Sequence, residues 1–60
     1  MYYTITILRK GDRIPITFRD IKSWDLQDVG NGVLLIQYSD GIIMGIMLDE
    51  LKSFKVEASK

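Results

Sequence analysis

Sixty residues allow one domain, and 47% hydrophobic with 27% charged residues is the composition of a folding chain rather than a disordered one. With no cysteine, no histidine and a formal net charge of zero, the chain lacks disulfide staples and the commonest nucleophiles, bases and soft-metal ligands, and it lacks the charge excess that draws proteins to bulk nucleic acid or anionic membranes. A domain this small buries only about 60% of its unfolded surface, so association between copies is the remaining way to add buried area.

Nine isoleucines, three valines and three threonines against one alanine make this a β composition, because branched side chains suit a pleated surface and lose rotamer freedom in a helix. Tyr3, Ile5 and Ile7 alternate with Thr4 and Thr6, which predicts a first strand near residues 2–8. Lys10-Gly11-Asp12 reads as a turn, followed by alternation of Ile14, Ile16 and Phe18 around Pro15 and Thr17. Proline cannot donate to a ladder, so this second strand is expected at an edge or with the Pro15 nitrogen facing outward.

Residues 20–29 fit two periods. A helix would place Asp25 and Asp28 on the stripe of Ile21 and Trp24, a poor core face, so a strand is the better reading. Gly30-Asn31-Gly32 and Asp40-Gly41 then mark two hairpin turns, bounding strands over 33–39 and 42–48. Leu48-Asp49-Glu50-Leu51 resembles one helical turn with acids near its start. Phe54 and Val56 form a short last strand, and residues 58–60 are expected to fray. The predicted fold is all-β: a small antiparallel meander of five or six strands, closing as an SH3-like barrel or a small sandwich, with one helical turn before the last strand.

Taking Asp40-Gly41 as a two-residue turn pairs Leu35 with Ile46 and Ile36 with Gly45. One face then collects Trp24, Leu26, Val33, Leu35, Ile42, Met44, Ile46 and Leu48 as core. The other face holds Leu34, Ile36, Tyr38, Ile43 and Met47, with Gly45 as a bulge or a notch. A half-exposed antiparallel sheet should alternate apolar with polar residues, so this second apolar face needs a cover, either the terminal strands or a partner.

Charge is uneven along the chain. Residues 1–22 carry five basic and two acidic side chains, residues 23–51 carry Asp25, Asp28, Asp40, Asp49 and Glu50 with no base, and the tail is net basic again. Complementary strands are expected to pair these charges.

The function expected is that of a non-catalytic interaction module, self-associating or binding and modulating another protein as an adaptor or inhibitor, of the kind phages and mobile elements make. Leu34, Ile36, Tyr38, Ile43 and Met47 are its contact residues. An alternative is a barrel binding single-stranded nucleic acid through Arg9, Lys10, Arg13 and Arg19. A second alternative is a small ligand held between subunits. No metal, cofactor or membrane partner is expected: Asp25, Asp28 and Asn31 lack calcium-loop spacing, and no apolar run reaches the about 18–20 residues of a membrane span. The start, Met1 to Ile5, has no signal-peptide pattern, which predicts a cytoplasmic protein.

Overall fold

The computed structural model describes residues 1–59 and forms one five-stranded antiparallel sheet. Its strands are β1 (Tyr2–Arg9), β2 (Ile16–Gln27), β3 (Val33–Tyr38), β4 (Ile43–Met47) and β5 (Leu51–Ser59), and a 3-10 turn (Leu48–Glu50) joins β4 to β5. The order is β4-β3-β2-β1-β5. The first four strands are a meander, but β5 returns to the far side of β1, setting Val56 opposite Ile5 and Phe54 opposite Ile7. β4 and β5 are therefore the two edges, and the sheet is not closed into a barrel.

Three expectations about the elements need correction. The second strand is interior, flanked by β1 and β3. It starts at Ile16, so Pro15 stands in the connection and removes no ladder bond. Residues 20–27 continue that strand, making β2 twelve residues long. The last strand is longer than Phe54 to Val56: it runs Leu51–Ser59, with Ala58 and Ser59 opposite Tyr3 and Tyr2. Of the residues expected to fray, Lys60 lies outside the described residues.

β2 is bent by two irregularities close together. Against β1, three of its residues span two, since Tyr3 faces Ile21 while Ile5 faces Phe18. Against β3, Ile21 faces Tyr38 while Ser23 faces Gln37, which leaves Lys22 as the extra residue. Such bulges bend a strand and increase its twist. Asp20 sits at the first with φ of 59°, a left-handed conformation that aspartate tolerates better than most residues. Its carbonyl accepts a bond of 3.2 Å from the Ser39 N–H. The amino-terminal half of β2 thus belongs with β1, and its carboxy-terminal half with β3.

The bend lets one sheet bury its own concave face. Ile5, Ile7, Ile21, Leu34, Ile36 and Leu51 are buried and form one cluster, with Tyr3, Phe18, Tyr38, Met44, Ile46, Leu48 and Val56 packed against it. No polar or charged side chain is buried among the described residues. Full burial of an isoleucine or leucine side chain is worth about 1.5–3 kcal/mol, and Ile5, Ile21, Leu34 and Ile36 are sealed completely.

Both hairpins flanking β3 have odd loops. Tyr38 N–H bonds to the Ile42 carbonyl at 2.8 Å, enclosing the three residues Ser39 to Gly41, and Gly41 takes φ of 93°, as a three-residue loop ending in a left-handed position requires. The loop between Gln27 and Val33 holds residues 28–32. Leu34 consequently faces Ile46, Leu35 faces Gly45 and Ile36 faces Met44, one residue out of the register that a two-residue turn dictates. This slip reverses β3. Leu34, Ile36 and Tyr38 point into the core, and Val33, Leu35 and Gln37 point away from it.

Ile36→Asp should therefore leave the chain unfolded at every concentration, whereas Ile43→Asp should fold; circular dichroism with urea titration separates them. Replacing Gly41 with alanine should destabilise by about 1–2 kcal/mol through its left-handed backbone. Gly45→Ala should change stability by less than about 0.5 kcal/mol, because a Cβ there would meet Val33 and Leu35 at 3.5 and 3.6 Å, ordinary contact distances.

Candidate interaction edge

The five residues expected to form a contact face do not share one. Leu34 and Ile36 are completely buried and Tyr38 packs on the core, because the odd turns invert β3. Ile43 and Met47 lie on the opposite side of the sheet and are 65% and 53% exposed. Two of the five thus remain available to a partner, and both belong to β4.

β4 has features that surface strands usually avoid. It is an edge, hydrogen-bonded to β3 on one side, so its other row of backbone N–H and C=O groups has no neighbouring strand. Its sequence, Ile43-Met44-Gly45-Ile46-Met47, contains no charge and no proline, and Ile42 just before it is 60% exposed. Natural edges are commonly protected by charges, proline or bulges. β5 follows that rule with Lys52, Lys55 and Glu57, and β4 does not.

Concavities lie on both sides of this edge. On the outer face a groove of about 180 Å³ runs beside Ser23, Asp25, Leu35, Gln37 and Ile43, floored by a bond of 3.0 Å that Ser23 Oγ donates to Gln37 Oε1. On the inner face a cleft of about 280 Å³ separates β4 from β1 and β2, with Ile7, Ile16, Phe18, Met44, Ile46 and Met47 in its walls beside Arg9 and Glu50. This cleft is the gap where the sheet stops short of closing. One ion pair spans it, Arg9 Nη2 to Glu50 Oε2 at 3.6 Å, with both side chains about half exposed. The Lys10 N–H also donates to the Glu50 carbonyl at 2.9 Å.

The expected pairing of charges between strands is largely missing. Among the described residues the ion pairs are Arg9–Glu50 and Lys55–Glu57, and the second lies within β5. Asp25, Asp28, Asp40 and Asp49 stand on or beside β2–β3–β4, and Arg9, Lys10, Arg13, Lys52 and Lys55 on or beside β1 and β5, while Arg19 and Lys22 lie on β2, Glu57 on β5 and Glu50 in the turn before it. The order of the strands explains this: the acidic stretch of sequence folds as one contiguous half of the sheet.

Of the residues proposed for nucleic acid, Arg9, Lys10 and Arg13 cluster at the β1–β2 connection, and Arg19 adjoins the Asp20 bulge. Tyr2 and Tyr3 lie at the opposite end of β1, about 20 Å away at strand rise, and the connection itself carries no aromatic residue. Asp25 is occupied locally, accepting from Leu26 N–H at 2.9 Å and Gln27 Nε2 at 2.7 Å. Asn31 donates to Asp49 Oδ2 at 2.6 Å. These oxygens are not gathered: among the described residues no three acidic side chains are placed to hold one ion.

Sequence reasoning missed Ile42, which it assigned to the core, and it missed that β4 is an edge. The uncharged run from Gly41 to Leu48, with no proline in it, was the available signal. Comparison with protein-family models, with curated proteins and with solved structures finds no match.

Proposed function

We propose that this chain is a non-catalytic protein-interaction module that works by strand addition at β4. The carrying observation is the uncharged edge itself: unpaired backbone groups, exposed Ile42, Ile43 and Met47, and an apolar cleft alongside. In strand addition the backbone ladder supplies affinity, and alternate side chains entering flanking concavities supply specificity. The outer groove and the inner cleft provide a concavity for each parity of an incoming strand. The long bent β2, the 3-10 turn and the strand order support reading the fold as an SH3-like barrel left open at the β4–β5 gap. Among the described residues no helix is long and apolar enough to cross a membrane; action in the cytoplasm is part of the proposal.

Selection from a displayed library of extended peptides tests the module reading. Enriched peptides should bind the wild-type chain and lose at least tenfold in affinity against Ile43→Lys/Met47→Lys, which adds charge to the edge without touching the buried cluster. Equal binding to both proteins, or no enrichment, would remove the assignment.

A further inference from the structure

We infer that the inner cleft is a binding site for a free α-amino acid with a large apolar side chain. The inference uses the cleft and the two charged side chains at its mouth, and it does not depend on strand addition at β4.

The side chains lining this cleft are apolar except at one place. Ile7, Ile16, Phe18, Met44, Ile46 and Met47 form its walls, and Arg9 and Glu50 are the charged side chains beside them. Ile16 and Met47 are 39% and 53% exposed, so a guest seated here takes out of water apolar surface that the open sheet leaves wet. The cleft volume of about 280 Å³ falls just below the about 300–1,000 Å³ of pockets for drug-sized ligands. The guest is therefore small, with an apolar body and a polar group at one end.

The ion pair specifies that polar group. Arg9 Nη2 and Glu50 Oε2 stand 3.6 Å apart, with both side chains about half exposed, farther than the about 2.7–2.9 Å of a charge-assisted hydrogen bond. A pair this loose can part for a guest. An acid without an amine would set its carboxylate against Glu50, and an amine without an acid would set its ammonium against Arg9. A zwitterion satisfies both: its carboxylate takes Arg9, its ammonium takes Glu50, and one weak pair is exchanged for two. Lys10 and Asp12, which lie beside the pair, add one charge of each sign, so the mouth favours neither an anion nor a cation. The backbone supplies further partners. Tyr38 N–H bonds to the Ile42 carbonyl and Leu48 N–H to the Gly32 carbonyl, which fixes the alternation along β4. Gly45 and Met47, both at the cleft, consequently turn their N–H and C=O groups away from β3 to the open side.

Amide chemical-shift titration of the intact chain by nuclear magnetic resonance tests this. Leucine and phenylalanine should each shift the amides of Met44 to Met47 saturably. N-acetyl-leucine lacks the ammonium, leucinamide lacks the carboxylate and N-acetyl-leucinamide lacks both, so each should bind at least tenfold more weakly than leucine. Glycine, which lacks the apolar body, should not bind. Arg9→Met and Glu50→Gln should each weaken leucine binding at least tenfold, and amide dispersion reports whether they fold. The analogue series runs on the wild-type chain, so the test stands even where a variant does not fold. Binding of N-acetyl-leucinamide at the strength of leucine would show an apolar slot indifferent to the ion pair and overturn the inference. Equal binding of N-acetyl-leucine or leucinamide would show that a single charge is enough, and would overturn it too. So would the lack of any saturable shift up to the solubility limit of leucine. Failure here leaves the module reading standing, because that reading falls only if selected peptides do not require β4.

Discussion

A sheet with no second layer must cover its apolar face with itself, and in this chain the bend in β2 makes that possible. Two extra residues near Asp20 and Lys22 divide one strand into two directions, so β3 and β4 turn back toward β1. The buried cluster draws on both sides of this bend: Ile5 and Ile7 on one, Leu34 and Ile36 on the other, and Ile21 between them. An unbent β2 would spread the same residues over a flat surface, each with one side in water. The bulges also explain why charged residues interrupt the apolar alternation at 19, 20 and 22. Those positions serve backbone geometry, and their side chains project away from the core.

The same bend leaves the sheet unclosed. Closure would need β4 to hydrogen-bond to β5, and the connection between them is a single 3-10 turn that delivers the chain to the far side of β1 instead. What remains is a gap bridged by one ion pair between half-exposed side chains and one backbone bond to Glu50. Exposed ion pairs of this kind contribute about 0–1 kcal/mol. The gap therefore persists as an apolar cleft beside an edge, and the candidate site is a product of incomplete closure rather than of a specialised loop.

Much of the architecture was legible in the sequence. Branched residues, alternation and glycine-marked turns located all five strands and the turn before β5, because each of those signals is local. Strand order and register were not local. The two turns around β3 were read as even and are odd, and each error moves the next strand's side chains to the opposite face. For β4 the two errors cancel, which is why Met44, Ile46 and Leu48 were correctly placed in the core. For β3 they do not, so Leu34 and Ile36 were taken for surface while Leu35 was taken for core. Ile43 and Met47 were found because they follow β4. The status of β4 as an edge depends on where β5 goes, and no turn signal encodes that.

The pairing of β1 with β5 sets an order on the folding of a chain made from one end to the other. Tyr2 lies opposite Ser59 and Ile5 opposite Val56, so one side of β1 waits through the synthesis of some fifty residues before its neighbour exists. Strands β2 to β4, joined by short loops, can pair as they emerge from the ribosome, but Ile5 and Ile7 cannot be sealed until β5 has cleared the exit tunnel. Contacts this distant along a chain form slowly relative to local ones. During that interval the nascent domain carries a second open edge, on β1 as well as on β4, and the early chain is at its most adhesive before its last strand arrives.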